Sequence, residues 1–340
     1  MEGTRGVAPK ELRRSLARRQ KLLKRVERYA AGPLARRLGA APDTLEVRPA
    51  HHGERSLVYF VKVDGRPRVV LRAEWGFINA WQIVTNHRWL ARRSLPVPRL
   101  LVGDFYLPSR VWWGFCPIVE EWVEGHHVDA LGRPESAIRA VATTLARFHS
   151  FERRRWGNPW VPRLGSYRCY FLSRLERRVA DLDAVLQRPR RGEFLPWLAE
   201  RAAAAPLEPP FSLIHCRVFA GNFVVTPENE AVAVDLLEVR YGTFALDVAW
   251  ALERVCGADA ERRAWFLDTY FGLRPSFRKA FEASRQFFEA DCGLARAAVC
   301  ARRVQLGLAK GRRVQKWLES LRRQAKRLAA LTGIDLAVIQ

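Results

Sequence analysis

The forty residues from 211 to 250 constrain this chain more than any others: FSLIHCRVFAGNFVVTPENEAVAVDLLEVRYGTFALDVAW. Phe211 to Ile214, Phe223 to Thr226 and Ala231 to Val234 have the length and composition of short strands. Pro227, Glu228 and Asn229 supply turn chemistry between the second and third. His215, Asn222 and Asp235 then fall at the ends of these runs. An amide oxygen on a loop and a carboxylate at a strand end are hard donors. Mg²⁺ takes one or two carboxylates together with phosphate oxygens and water, so the pair suits that ion. The competing reading makes Asn222 a loop cap and Asp235 a turn residue. The ordered pattern that contains both weighs against it.

The block resembles the aminoglycoside phosphotransferase and choline kinase branch of the protein-kinase-like fold. That branch reads roughly H-G-D-x-x-x-x-N, a β-hairpin, then I-D-W-E-x-A-x-x-G-x-x-x-x-D-L-A. Here stand His215-Cys216-Arg217, Gly221-Asn222, Val234-Asp235-Leu236, Glu238, Arg240-Tyr241-Gly242 and Asp247-Val248-Ala249. The order matches throughout. The spacing matches too, except that the family's Glu falls on Leu237, one place before Glu238. The resemblance covers roughly residues 45 to 300.

It implies an α+β, two-lobed protein-kinase-like fold. A small antiparallel nucleotide-binding lobe would occupy 45–122 and a mostly helical large lobe 123–340, behind a basic helical extension over 1–44. It also implies ATP and Mg²⁺, with Asn222 and Asp235 as the metal ligands. Asp247 would orient the catalytic loop, and Glu238 would sit beside the metal or the acceptor. One departure matters most. The family's catalytic-loop Asp, which receives the substrate hydroxyl proton, falls on Arg217. A guanidinium is always protonated and has no acceptor lone pair, so it cannot be a base.

Upstream, Leu45 to Arg48, Leu57 to Val63 and Arg68 to Ala73 read as antiparallel strands, with Asp64-Gly65 as the turn between the last two. The loop with His51, His52 and Gly53 lies where kinase-like proteins fold a glycine-containing flap over the phosphates. The third strand carries Arg72 where the family has a phosphate-gripping Lys, and Arg can contact phosphate bidentately. A helix is expected over Ile78 to Arg93, stopped by Leu95-Pro96-Val97-Pro98. The Glu that pairs with the strand cation in the family falls near Asn86, and Glu74 is the nearest carboxylate in sequence. Leu100 to Phe105 and Val111 to Trp122 read as further strands, and Ile118 to Gly125 resembles the family's hinge. Ala137 to Phe148, ending at His149, reads as a structural helix. Helices follow over Leu246–Arg254, Arg262–Phe271, Pro275–Ala290, Leu294–Leu308 and 313–331.

The formal net charge of +23 asks for an anionic partner or reflects an Arg-rich composition. Amphipathic helices over 8–31 and 313–331 carry much of it. They would lie on an anionic membrane surface, meet an acidic substrate or bind nucleic acid, or simply dock by their apolar stripes. The six cysteines form no C-x-x-C pair or zinc-ligand spacing. The start of the sequence has no apolar signal region, and no run is long enough for a membrane span. A cytoplasmic protein, peripheral at the membrane if the basic helices bind lipid, is the expectation. Three functions stay open. The first is a Mg²⁺–ATP-binding but degenerate kinase acting as scaffold or regulator. The others are an active phosphotransferase with an altered site for an acidic sugar or lipid, and a nucleic-acid-binding protein on a kinase-like scaffold. The loss of the base puts the first ahead.

Overall fold

The computed structural model describes residues 22–50, 57–308 and 314–338. The chain divides into two compact units: Met1–His126 with Phe223–Glu238, and His127–Asn222 with Val239–Gln340. The first holds a five-stranded antiparallel sheet and the second is mostly helical, so the α+β class expected from the sequence is the one observed.

The first unit opens with a helix, α1, over residues 22–38. It passes through Pro33 by widening into a π turn at Ala30–Leu34 and so continues beyond residue 31. Residues 8–21 of the expected amphipathic helix lie outside the described residues. The sheet runs β1 (Leu45–Pro49), β2 (Leu57–Val63), β3 (Arg66–Glu74), β5 (Cys116–Glu121), β4 (Leu100–Gly103). Period-two alternation decides its two faces. Tyr59, Val61, Val69, Leu71, Ala73 and Val119 pack with Val26, Tyr29 and Leu34 of α1. On the other face Cys116 and Ile118 pack with Ala80, Ile83 and Val84 of α2 (Phe77–Ala91). Arg72 lies between Leu71 and Ala73 and opposite Ile118, so it points to the α2 face.

One expectation fails here. Val111 to Trp113 belongs to a short helix, α3 (Leu107–Trp113), rather than to a strand. Pro108 suits a first helical turn, and Gly114 ends the helix with φ +77. Only Cys116 onward pairs with β3. The strands Phe223–Val225 and Ala231–Ala233 form a hairpin in this unit, as read from the sequence, with Asn229 at φ +60 in its turn.

In the second unit, α4 (Glu135–His149) is followed by α5 (Tyr167–Asp183) and α6 (Arg191–Ala202). A three-stranded antiparallel sheet joins Glu152–Arg153, β6 (Phe211–Ile214) and β7 (Arg240–Gly242). Then come α7 (Phe244–Ala251), α8 (Ala260–Leu273), α9 (Arg278–Leu308) and α10 (Gln315–Thr332). The two helices expected over 275–290 and 294–308 are one continuous helix, α9. Gly293, between those two spans, is a close packing point: a Cβ there would stand 2.7 Å from Cδ2 of Leu328 on α10. Leu318, Leu321, Ala325 and Leu328 bury the stripe of α10, while Arg322, Arg323 and Lys326 face solvent. Among the described residues no helix is long and apolar enough to cross a membrane.

Candidate active site

The site residues fall in both units, and each half is built by its own neighbours. In the first unit, Arg72 Nη1 lies 3.2 Å from Asp235 Oδ1, in a pair that is 13% and 19% exposed. Asp235 follows the hairpin with φ +63, a left-handed backbone that turns its carboxylate back toward β3. The segment after it is clamped by amides on α2. Asn86 Nδ2 donates to the Leu236 carbonyl at 2.8 Å, and Gln82 Nε2 donates to the Leu237 carbonyl at 2.7 Å. Asn86 therefore occupies the expected Glu position as a fully buried anchor of the Asp235 segment. Glu74 is taken up elsewhere: its Oε1 accepts from the backbone N–H groups of Trp75 and Gly76, and from Asn79, at the start of α2. The nearest other carboxylate to enter the electrostatics is Glu120, buried and 2.8 Å from His87 Nε2. Burial pushes the Glu120 carboxyl up, but the charge and hydrogen bond of His87, with Arg72 behind them, outweigh it and leave the group below its ordinary value.

In the second unit the hub is Asp247, fully buried on α7. Its Oδ2 accepts from the His215 N–H at 2.6 Å and its Oδ1 from the Cys216 N–H at 2.8 Å. His149 Nε2 is 3.3 Å from the same Oδ2, and Tyr270 OH meets His149 Nδ1. Burial pushes the Tyr270 phenol well up, so it keeps its proton. Tyr270 then donates to Nδ1, and His149 Nε2–H donates to Asp247. Asp247 thereby holds the loop that follows β6, and His149 is the strut behind it. Cys216 is held at φ +66, a conformation costing about 1 kcal/mol for a residue with a Cβ. The next N–H, of Arg217, donates to His215 Nδ1 at 3.3 Å. Arg217 rests its guanidinium carbon 5.9 Å from the centre of the Phe219 ring, which Arg254 also faces at 4.6 Å. Asn222 Nδ2 donates to the Arg217 carbonyl at 2.8 Å, which leaves its Oδ1 as the acceptor side of the amide.

Taken unit by unit, the side chains offer donors of the kinds that phosphate and magnesium take. Arg72 Nε is buried with no hydrogen-bond partner, although its Nη1 is engaged. A buried guanidinium donor left open is what a phosphate oxygen satisfies. Asp235 in the first unit offers a carboxylate and Asn222 in the second an amide oxygen, each a hard donor of the kind Mg²⁺ takes. Among the described residues no three His, Cys, Asp or Glu side chains gather into a metal cluster. Glu238 ends a single turn, Leu236–Glu238, in the first unit. Gly53, with His51 and His52, lies outside the described residues.

Sequence reasoning missed three sets of contacts. The amide clamps from Gln82 and Asn86 reach carbonyls about 150 residues away, and backbone acceptors leave no mark in a sequence. The Tyr270 support of His149 spans 121 positions. The third is Arg240 Nε, 3.0 Å from Cys216 Sγ. It depends on the pairing of Arg240 with Ile214 across β7 and β6, which only the folded register reveals.

The phosphotransferase enzyme family matches residues 46–281. A search of the curated proteins finds no match. Among solved structures, a protein of Thermobifida fusca assigned as a fructosamine-3-kinase superposes with a TM-score of 0.57 at 19% identity, covering 86% of this chain and 98% of its own. An ethanolamine kinase of Plasmodium vivax gives 0.57 at 12% identity, covering 88% and 83%. A thermostable mutant of aminoglycoside phosphotransferase APH(4)-Ia, in a ternary complex with ADP and hygromycin B, gives 0.57 at 16% identity, covering 90% and 98%. At these identities the likeness is one of fold.

Proposed function

The chain belongs to the phosphotransferase enzyme family, and on that premise we propose that it binds Mg²⁺–ATP but has lost the proton acceptor of the transfer reaction. Arg72 would grip phosphate oxygens, and Asp235 and Asn222 would hold the metal. The bound ion would neutralise charge on the phosphate chain. Neighbours of the same fold that carry ADP, or ATP with streptomycin, support the nucleotide. The observation that carries the reading is Arg217. It lies on the loop tethered by Asp247, by the resemblance it takes the place of the family's carboxylate, and it cannot accept a proton. A general base contributes about 10²- to 10⁴-fold, so its loss lowers turnover deeply without touching nucleotide affinity. The chain then serves as a nucleotide-responsive scaffold or regulator.

The intact tethering of that loop favours one second reading, an active phosphotransferase in which the Arg217 guanidinium stabilises the transferring phosphoryl group. Its acceptor would be an acidic sugar or lipid, in keeping with the net charge. Two measurements separate the readings. Millimolar Mg²⁺–ATP should raise the melting temperature of the native chain, by about 2.7 kcal/mol of stabilisation at a hundred times Kd, and Asp235→Ala should abolish the shift. No shift in the native chain refutes nucleotide binding. ATP turnover of the native chain and of Arg217→Asp, with and without acidic sugars and lipids, is the second. Degeneracy predicts negligible native turnover. Turnover that Arg217→Asp reduces by about 10³- to 10⁵-fold establishes the active enzyme instead.

A further inference from the structure

The cysteines of this chain are not equivalent. Cys116, Cys256, Cys292 and Cys300 are buried. Burial raises the first three thiols, Cys256 to about 12 and Cys292 well above its ordinary value, which keeps them protonated and inert. Cys169 is exposed on α5. Cys216 is different. It is half-buried, its backbone is pinned to Asp247, and Arg240 Nε donates to its sulfur at 3.0 Å. Arg240 is placed there by its pairing with Ile214, and its Nη1 lies 3.4 Å from Tyr170 OH. The Cys216 sulfur is the main cause that strengthens the hold of Arg240 on its proton. A guanidinium in contact with a sulfur favours the thiolate form.

The other groups around the sulfur are Tyr167 and Tyr170 on α5, Asp247 on α7, and His215 and Arg217 on either side. Burial pushes the Tyr167 phenol up to about 12, so it stays neutral. The Asp247 carboxylate opposes a second anion, but it is engaged by two backbone N–H groups and His149. Arg240 brings its charge into direct contact with the sulfur.

We propose that Cys216 is a covalent modification site, a guanidinium-paired thiolate in the catalytic-loop position that hydroperoxides oxidise. The sulfur attacks one peroxide oxygen and the O–O bond breaks. Sulfur gives up two electrons, forming an S–O bond, and the other oxygen leaves as hydroxide and takes a proton. The product is a sulfenic acid flanked by His215 and Arg217. The family pattern has glycine at this place, so a thiol that can carry an adduct is particular to this chain. The inference rests on the Cys216–Arg240 pair and stands whether or not the protein transfers phosphate.

The test labels the full native chain with iodoacetamide from pH 5.5 to 9 and quantifies each cysteine peptide by mass spectrometry. Cys169 is the internal reference for an exposed thiol. At pH 6.5 Cys216 should react at least about tenfold faster than Cys169 and hold its rate as pH falls. Arg240→Gln should return the Cys216 profile to that of Cys169. Hydrogen peroxide followed by dimedone should tag Cys216 before any other cysteine. A Cys216 profile parallel to that of Cys169, or no labelling of Cys216 while Cys169 reacts, overturns the proposal. Should Arg240→Gln fail to fold, the native pH profile and the dimedone tag decide alone.

Discussion

Asp247 has no exposed atom and three partners, two backbone N–H groups and the His149 ring. Each is a buried donor that water cannot reach if the carboxylate goes. Leaving one such donor unmade costs about 1–3 kcal/mol. Asp247→Ala should therefore cost on the order of 3 kcal/mol in urea unfolding. It should also increase hydrogen exchange at the His215 and Cys216 amides more than elsewhere. Glu120 carries the acid sensitivity of the first unit. Its folded carboxyl lies below the ordinary value because His87 overrides burial. Its contribution is therefore complete above the unfolded pKa and is lost as pH falls through the lowered one. The urea midpoint of the native chain should drop as pH goes from 5 toward 3, and Glu120→Gln should flatten that slope; an equally steep slope in the variant removes Glu120 as its origin. At this scale order and spacing singled out Asn222, Asp235 and Asp247 as the candidates. What these side chains touch was hidden, because the donor of Asn86 and the sulfur partner of Cys216 lie far away along the chain.

Helices and strands were legible where period and punctuation agreed. β2, β3 and the short apolar strands of the 223–233 hairpin are bounded by turn residues, and all three form as read. The two misreadings share a cause. Around Val111 the apolar run lacks alternation, and Pro108 and Gly114 acted as helix ends rather than loop residues. Within α9, Gly293 carried a packing requirement set by Leu328, a partner on another helix. α10 separates its two duties by face. Its stripe is buried, while Arg322, Arg323 and Lys326 are exposed. Reversing those three charges should change stability by no more than about 0.5 kcal/mol each. If the outer face meets a polyanion, the same change should weaken sedimentation with anionic vesicles, and native binding should fall steeply with salt. Binding that ignores both salt and charge reversal would remove α10 as the contact.

At the scale of the molecule, the +23 charge is a property of surface and partner and carries no information about fold. The fold class came instead from one forty-residue block. Phe223–Glu238 groups with the first unit although the residues before and after it group with the second. The buried amide of Asn86 depends on a carbonyl in that returning segment. A fragment ending at residue 126 should thus lack cooperative unfolding by circular dichroism and calorimetry, with Ala80, Ile83 and Asn86 losing their cover; a sharp two-state melt would show the sheet and α2 suffice alone.

The returning hairpin also bears on how such a protein can be inherited and rebuilt. A unit assembled from two separate lengths of chain cannot be passed to another gene as a single cassette, and no one cut releases it whole. Recombination that swaps residues before 126 without those from 223 to 238 brings together an arginine and an aspartate with different histories. Arg72 and Asp235 sit 163 positions apart yet meet at 3.2 Å. Chimeras of this chain with its structural neighbours should be spliced with both segments taken from one parent.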